Sequence, residues 1–410
     1  MVTVSKKRIL YLITGVFAML FSGVLYAWSI LKVPFKEDFL WTDSLLALNF
    51  TLTMCFFCLG AFFGSLICKR IGVRITLFIS GTLVGTGFIA TGLLNKDFQY
   101  LLFITYALLA GTGIGIAYNV IVATVNSWFP DKKGLSSGLL MMGFGISTLM
   151  LGNTVSSLFG NAKVGVSKTY ILLGAVTAAV IIISALILKK PSPDTVLPEA
   201  KKKRELKSES FEVRDFTTIA MIKDFTFIRA FICMAFITAV GNSVISFARD
   251  LMLSVGAGIP LATTLVGVLS VFNGFGRIIT GAFYDRLGRR VTMISANILT
   301  ILAAGITLVA VFSSSLPLCI VGLCLTGMSY GSCPTVTSAF TASFYGKKHF
   351  ATNYSIMNFN LIFASFIASF CNSVLISTES YITPFIILLI LAAAALILNF
   401  SIRKPSEKNT

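Results

Sequence analysis

The segment Asn273-Gly-Phe-Gly-Arg277-Ile-Ile-Thr-Gly281-Ala-Phe-Tyr-Asp285-Arg-Leu-Gly288-Arg-Arg290 joins an isolated arginine in an apolar stretch to a short charged turn. Apolar and small residues surround Arg277 on both sides, whereas glycine, aspartate and arginine dominate the turn that follows. A charged side chain inside an apolar helix is costly at the centre of a bilayer, and such residues almost always face the interior of a helical bundle. The segment therefore predicts a membrane-spanning helix that carries one buried cation.

Composition extends this prediction to the whole chain. Of the 410 residues, 56% are hydrophobic and only 12% are charged, and the mean hydropathy is +0.89. Soluble proteins carry about 25% charged residues, so this chain has too little polar material to cover a water-facing surface. Because lipid offers no hydrogen-bond partners, segments that cross it are expected to be helices.

Long apolar runs recur along the chain and predict an all-α polytopic membrane protein with twelve transmembrane helices. A run of about 18 or more apolar residues is long enough to cross the hydrocarbon layer as a helix. The predicted spans are Ile9–Leu31, Leu45–Cys68, Ile75–Leu94, Tyr100–Val125, Leu135–Phe159, Tyr170–Leu188, Phe227–Phe247, Pro260–Tyr284, Val291–Phe312, Leu316–Phe340, Phe350–Ser373 and Tyr381–Ile402.

The basic character of the chain indicates membrane topology and not a nucleic-acid partner. The formal net charge is +17. If the N-terminus lies in the cytosol, most Lys and Arg residues fall in cytosolic segments, which is the bias that orients membrane proteins. We therefore expect a monomeric multi-pass protein of the plasma membrane, held in the lipid bilayer with both termini cytosolic and with no nucleic-acid partner.

The two halves of the chain are internal repeats at an offset of 216 residues. Several separate loops and helices share this one offset, which chance alone would rarely produce. Duplicated six-helix halves are an architecture of secondary transporters. We therefore predict an N-terminal six-helix half (1–189), a cytosolic linker (190–223) and a C-terminal six-helix half (224–410). The matches are Arg70 with Arg286, Gly72 with Gly288, Arg74 with Arg290, Gly111 with Gly327, Gly115 with Gly331, Trp128-Phe129 with Phe344-Tyr345, and Lys132 with Lys348.

Arg277 lies on the small-residue face of the eighth predicted span and has no evident counter-ion. None of the 16 Asp and Glu residues falls inside a predicted span. A guanidinium in a low-dielectric cavity favours a planar anion, and a carboxylate matches its paired donors. The alternative is that Arg277 extends towards the cytosol or caps backbone carbonyls. The face comprises Thr263, Gly267, Ser270, Gly274, Arg277 and Gly281.

Polar and aromatic residues of other spans complete the predicted substrate site. Each of them could instead serve helix packing alone, as could the small-residue stripes around Gly111, Gly115, Gly138 and Gly145. A buried hydroxyl or amide needs a partner, which favours these side chains as ligand contacts. The predicted substrate-binding residues are Arg277, Tyr26, Tyr118, Tyr330, Asn358 and Asn360.

No cofactor or metal site is predicted. The eight cysteines all fall in or at the ends of apolar spans, where small buried hydrophobic residues are the better interpretation. The single histidine, His349, lies at a span edge beside Lys347 and Lys348 and is expected to be a solvated loop residue. An intramembrane enzyme would need paired acids, a histidine cluster or a nucleophile with its base, and none is present. The chain is therefore not expected to be an enzyme.

The turn after the eighth span predicts a gating element. Gly281 would permit close packing, the Asp285 carboxylate would accept hydrogen bonds from amides at a helix start, and the arginines would contact the other half. Such contacts would hold one conformation and break in another. The alternative is a positively charged loop without a gating role. The predicted gating residues are Gly281, Asp285, Arg286, Gly288, Arg289 and Arg290.

These residues resemble the major facilitator superfamily over the whole chain. Its loop signature matches 281–290 fully and Arg70, Gly72 and Arg74 in degenerate form. Within it, the chain is similar to the oxalate:formate antiporter family in three segments: Tyr26-Ala27-Trp28-Ser29, Trp128-Phe129-Pro130-Asp131-Lys132-Lys133-Gly134, and Arg277 within Asn273-Gly-Phe-Gly-Arg277. The resemblance implies organic-anion transport by alternating access, with Arg277 on the substrate carboxylate and aromatic residues, Tyr330 among them, around it.

One departure from that family changes the expected substrate. Its oxalate carriers pair the arginine with a lysine in the eleventh helix, whereas the corresponding residue here is Leu361, flanked by Asn358 and Asn360. A dianion that would face two cations loses half of its counter-charge. We therefore expect a monocarboxylate and not oxalate. The competing prediction is a carrier of a neutral or cationic compound, as in drug efflux, with a structural Arg277.

Overall fold

The computed structural model describes residues 2–129, 133–192, 195, 197, 215–346 and 348–403. Most of the predicted linker and the motif residues 130–132 therefore lie outside the described residues. The described part is helical, which confirms the predicted all-α class. Its α-helices are α1 (Val2–Ser22), α2 (Trp28–Leu31), α3 (Val33–Glu37), α4 (Asp43–Gly92), α5 (Thr112–Ser127), α6 (Lys133–Phe159), α7 (Gly165–Ile187), α8 (Thr218–Ile222), α9 (Phe225–Ser254), α10 (Ile259–Phe312), α11 (Leu316–Tyr345), α12 (Phe350–Met357), α13 (Asn360–Thr378) and α14 (Ile382–Phe400).

Within the described residues, 11 helical stretches are long and apolar enough to cross a membrane. One of them, α4, has 50 residues, more than twice the length that the hydrocarbon layer requires. It bends at Gly72, so it contains both the second and the third predicted span. The chain is therefore a multi-pass membrane protein, and its helices accommodate the twelve predicted crossings.

Two glycines at the 216-residue offset make the same backbone turn. Gly72 has φ 82° and ψ 170°, and Gly288 has φ 76° and ψ 179°. Residues that carry a Cβ rarely adopt a positive φ, so glycine is required at both positions. Each turn reverses the chain between two spans, in α4 and in α10. The charged turn that we identified in the sequence is thus the second copy of one structural element.

The same offset recurs in helix packing. Gly115 of α5 packs on the carbonyl of Phe57, and Gly331 of α11 packs on the carbonyl of Asn273. A second pair repeats the pattern, because the Cβ that Gly60 lacks would meet Thr112 and the Cβ that Gly276 lacks would meet Met328. Backbones approach this closely only where glycine removes the side chain. The predicted internal repeat is therefore present in the packing.

Replacing Gly115 by Ala is expected to destabilise the protein, because the added Cβ would collide with the Phe57 carbonyl and force two helices apart. Overpacking of this kind costs about 1–3 kcal/mol. A matched change, Gly281→Ala, adds a methyl group at an ordinary 3.6 Å from Thr335 and should leave stability unchanged or slightly higher. Thermal unfolding of both purified variants measures the difference. Equal unfolding temperatures for the wild type and Gly115→Ala would contradict this packing.

The two halves meet where α6 packs against the first part of α10. Gly145 of α6 lies against Gly274 and Ser270, and Gly267 of α10 lies against Leu149. The small-residue face predicted for the eighth span is therefore a close helix contact between the halves. It brings Arg277 directly beside the backbone of α6. We call the side of the bundle where α7 ends and α9 begins the linker side, and the opposite side the far side.

Candidate functional site

A small cavity lies between the two halves, near the middle of the bundle. The volume open to the centres of water molecules is about 30 Å³, which holds about two ordered waters. All six predicted substrate-binding residues line it. The lining residues are Tyr26, Phe57, Tyr118, Thr238, Arg277, Tyr330, Cys333, Pro334, Thr337, Asn358, Asn360 and Leu361.

Among the described residues that line the cavity, Arg277 is the only charged one, and its residue surface is 1% exposed. Its Nε donates to Oδ1 of Asn273 at 3.1 Å, one turn earlier on α10. Its Nη1 donates to the carbonyl oxygen of Met141 on α6 at 2.7 Å. The side chain therefore does not extend towards the membrane surface. One of its nitrogens, Nη1, does cap a backbone carbonyl, as the alternative predicted.

The Arg277 guanidinium has more hydrogen-bond donors than its described contacts use. It carries five N–H groups, and the two hydrogen bonds to Asn273 and Met141 leave three of them available. Among the described residues, no Asp or Glu forms an ion pair with Arg277. A buried charge is normally paired, because an unpaired one pays its desolvation cost without compensation. This arrangement suits an anion that enters the cavity and completes the site.

Aromatic rings form one wall of the cavity. The rings of Tyr26, Phe57 and Tyr118 each contact Phe144 of α6, with centroid separations of 5.2, 6.2 and 5.3 Å. The contacts of Tyr26 and Tyr118 are edge-to-face and that of Phe57 is tilted, and such ring contacts favour defined orientations. The Tyr354 hydroxyl is buried without a hydrogen-bond partner among the described residues. The wall comes mainly from the N-terminal half, opposite the helix that carries Arg277.

Tyr330 connects the two halves within the cavity. Its hydroxyl donates to Oδ1 of Asn242 at 2.7 Å and lies 3.2 Å from the hydroxyl of Tyr26. Gly241 makes room for the Tyr330 ring, since a Cβ there would collide with it. The rings of Tyr26 and Tyr330 are 5.7 Å apart. Tyrosines that are distant in sequence thus meet over the cavity and can offer hydroxyl groups to a polar ligand.

The eleventh predicted span is interrupted at the cavity. Its first part, α12, ends at Met357, and α13 begins at Asn360. The Asn360 amide donates to the Met357 carbonyl at 2.6 Å and accepts from Thr238 at 3.4 Å, so it is largely occupied. Asn358 lines the cavity with a partly exposed side chain. Leu361 presents an apolar side chain to the same space.

The halves touch on both sides of the cavity. On the linker side, Asn119 Nδ2 donates to the Ser355 hydroxyl at 3.0 Å, and Lys69 Nζ donates to the Thr352 hydroxyl at 3.3 Å. On the far side, Lys32 of the N-terminal half binds a carboxylate of the C-terminal half. The site is therefore nearly closed in this conformation, in agreement with the low exposure of most lining residues.

The predicted gating turn shows only part of what we expected. Arg289 Nη2 donates to the carbonyl of Ile402 at 3.2 Å, and its guanidinium lies over the ring of Phe344 at 5.2 Å. Both partners belong to the C-terminal half, so Arg289 makes no described contact to the other half in this conformation, and its gating role stays a prediction. Arg286 and Arg290 are exposed. The Asp285 side chain lies outside the described residues.

Gly281 and Gly288 differ in what they require. Gly288 needs glycine because of its positive φ. Gly281 does not, since a Cβ there would meet Thr335 only at 3.6 Å. The close packing predicted at Gly281 is therefore wrong. A glycine in an apolar span reveals that a side chain is missing, but it does not reveal which neighbour would fill the space.

Several contributors to the site were not predicted. Asn273 stands four residues before Arg277, and this spacing on one helix could have indicated the pair. Phe57, Thr238 and Cys333 carry no local signal, because apolar and small polar residues are common in spans. Conversely, Gly115 and Gly145, considered as possible cavity positions, serve helix packing. The chemistry of the site was thus predictable at its charge and less so around it.

Comparisons with known proteins agree with the fold. The model of the Major Facilitator Superfamily matches residues 10–247 and 230–410. The oxalate:formate antiporter of Oxalobacter formigenes is 30% identical over 294 residues, which cover 70% of this chain and 66% of that protein, slightly less than two thirds of its length. Monocarboxylate transporter 12 of Mus musculus is 25% identical over 280 residues, which cover 63% of this chain and 56% of that protein.

A solved structure shows the same fold. The proton:xylose symporter XylE, in complex with 6-bromo-6-deoxy-D-glucose, superimposes with a TM-score of 0.69 over 96% of both chains at 14% identity. At this identity the likeness concerns the fold alone. The family match over nearly the whole chain shows that this protein is a transporter and not an enzyme. The chain belongs to the Major Facilitator Superfamily and resembles the oxalate:formate antiporter.

Proposed function

We propose that this protein carries a small monocarboxylate across the membrane by alternating access, with Arg277 as the counter-ion of the substrate carboxylate. The observation that carries the proposal is a buried guanidinium in a cavity between the two halves, with N–H donors still available and without a described acidic partner. A carboxylate can accept two parallel hydrogen bonds from such a group. The predicted residues Tyr26, Tyr118, Tyr330, Asn358 and Asn360 would surround the rest of the substrate.

The size and charge of the cavity favour a small, singly charged substrate. Its volume of about 30 Å³ corresponds to a ligand of a few heavy atoms. Only one cation lines it, and Leu361 stands where a second cation would neutralise a dianion. A second carboxylate would therefore be desolvated without a partner, which is unfavourable. By charge, formate, acetate, lactate and pyruvate fit the cavity better than oxalate, and formate is also the best match to its size in this conformation.

The similar proteins support the same substrate class. One is named for oxalate and formate and another for monocarboxylates. Formate and monocarboxylates carry a single carboxylate, in agreement with one arginine in the cavity. We further propose that both termini are cytosolic, that the protein resides in the plasma membrane, and that it acts as a monomer. The charge distribution of the loops is the support for this orientation.

A second candidate is a carrier of a neutral or cationic compound, with a structural Arg277. The hydrogen bond from Nη1 to the Met141 carbonyl favours it, since this contact joins α10 to α6 without any ligand. A cation in the cavity would, however, face the unneutralised guanidinium at short range, which is repulsive in a low-dielectric site. A neutral compound would leave that charge unpaired. We therefore favour the anion.

A panel of carboxylates tests the proposal. In proteoliposomes that contain the purified protein, we expect saturable uptake of labelled formate, acetate, lactate or pyruvate, and uptake of oxalate at least about tenfold slower, because a buried second charge without a partner costs more than 1.4 kcal/mol. Stabilisation of the purified protein against heat should follow the same order. Selective and rapid oxalate exchange would contradict the monocarboxylate assignment, and transport of cations alone would contradict the anion.

A further inference from the structure

The far side of the bundle is closed by ion pairs between the two halves. Lys32 Nζ lies 2.9 Å from Oδ2 of Asp250 on α9 and 3.3 Å from the carbonyl oxygen of Ser246. The Lys32 side chain is 8% exposed, and that of Asp250 is 27% exposed. A second pair joins Arg249 to Glu37 at 3.8 Å. In alternating access these contacts must separate when the cavity opens to the far side, since their partners belong to different halves.

A polar seam leads from the cavity to this ion pair. On the first span, its residues follow one another at intervals of three and so share a helix face. On α9, they follow at intervals of four, and α2 packs directly against α9. Lys32 stands six residues beyond Tyr26, about 10 Å along the helix axis. The seam comprises Tyr26, Ser29 and Lys32 on one side and Asn242, Ser246 and Asp250 on the other.

Ser29 contributes to the seam a hydroxyl group that none of the described contacts uses. Its residue surface is 0% exposed, and its hydroxyl has no hydrogen-bond partner among the described residues. A buried hydroxyl without a partner is unfavourable in a closed helix contact. Water or a polar ligand that entered between α2 and α9 would give it one. The seam is therefore suited to a polar passage in the open conformation.

Separation of the halves leaves Lys32 without its carboxylate. Its ammonium has three donors, and Asp250 moves away with the C-terminal half. A cation in a narrow, partly desolvated mouth then attracts another carboxylate. The established position of Asp250, 2.9 Å from Nζ, shows that this environment accepts a carboxylate. The anion that Arg277 is proposed to bind has the same chemical group.

From these contacts we propose that Lys32 is an outer binding site for the carboxylate of the transported anion, occupied by Asp250 in the closed conformation. The substrate carboxylate takes the place of the Asp250 carboxylate when the far side opens, and it then passes along the seam to Arg277. This inference rests on the proposed function, because it requires a carboxylate substrate. It adds a second cation to the path and gives Asp250 the role of an internal competitor.

Lys32→Gln and Asp250→Asn distinguish this role from a simple latch. Both variants break the same ion pair, so a latch predicts the same outcome for both. A weaker latch also shifts the balance between the two conformations, which changes the apparent affinity in opposite directions on the two faces. If Lys32 binds the substrate, Lys32→Gln raises the KM for formate about tenfold on the far face alone. Asp250→Asn, which removes the competitor, leaves that KM unchanged or lower.

The measurement uses formate uptake into intact cells and into inside-out vesicles, which present opposite faces of the full-length protein. Leu40→Cys, at a position that is 76% exposed on the far side, reports which face a membrane-impermeant maleimide reaches. Lys36→Gln is the matched control. Lys36 pairs with Asp43 of its own half at 3.0 Å, so the variant removes one positive charge from the same mouth. Its KM should stay within about twofold of the wild type.

The double variant Lys32→Gln/Asp250→Asn removes both charges and leaves no unpaired group, so it applies even if Lys32→Gln alone does not fold. A raised far-face KM in the double variant supports the outer site. A wild-type KM there, or identical behaviour of the two single variants, would overturn it. Failure of the wild-type protein to transport formate, acetate, lactate or pyruvate would instead refute the proposed function itself.

Discussion

Replacing Arg277 by Gln is expected to lower the rate of formate exchange about a hundredfold or more. Removal of one member of a buried, hydrogen-bonded charge pair costs about 2–5 kcal/mol, and each 1.4 kcal/mol is a factor of ten in affinity. Here the missing member is the cation that the substrate carboxylate would bind. Exchange of labelled formate in proteoliposomes measures the loss. Arg277→Lys should retain part of the activity, because it keeps the charge but not the paired donors.

Two controls separate binding from structure in this experiment. Arg229→Gln removes the same charge from an exposed residue of the same half, whose guanidinium donates to the Ser401 carbonyl at 3.0 Å and has no other hydrogen bond in the part of the chain that the structure describes. This variant should exchange formate at the wild-type rate. The thermal stability and folded yield of Arg277→Gln address the contact with Met141. Normal exchange in a stable Arg277→Gln variant would show that the arginine is not the counter-ion.

Replacing Leu361 by Lys is expected to convert the protein towards oxalate. Leu361 lines the cavity together with Arg277, so a lysine at this position would present a second cation to the same ligand. Two cations can neutralise both carboxylates of a dianion, whereas a monocarboxylate would leave one of them unpaired. The ratio of oxalate to formate exchange should rise at least about tenfold, which corresponds to a differential interaction of about 1.4 kcal/mol. Competition between the two labelled anions measures this ratio.

Two further variants, at positions 361 and 362, are the controls for this change of substrate specificity. Leu361→Met keeps the volume and the neutral charge and should keep the wild-type preference. Ile362→Lys introduces the same charge one residue further along α13, at a position that is not among the lining residues. An oxalate preference in Ile362→Lys, or none in Leu361→Lys, would show that position 361 does not set the selectivity.

The break in the eleventh predicted span, between α12 and α13, shows which features of the site the sequence alone could predict and which it could not. Asn358 and Asn360 were predicted at the site because they are amides in an apolar span, and both do line the cavity. The interruption between Met357 and Asn360 was not predicted, since no glycine or proline marks it. It depends on side-chain contacts such as the bond from Asn360 to the Met357 carbonyl. Such contacts leave no periodic pattern in a sequence.

The sequence by itself determined the transmembrane class, the internal repeat and the presence of a cation, Arg277, inside an apolar span. Apolar run length, the 216-residue offset and the position of a charged residue can all be read from the order of the residues alone. Only the tertiary structure decided which partners these segments meet: Met141 on Arg277, Asn242 on Tyr330, and Asp250 on Lys32. These contacts depend on the rotation and depth of helices within and between the halves, which small residues such as Gly145 and Gly241 permit. Local patterns fix what a helix is, whereas close packing between helices fixes what it touches.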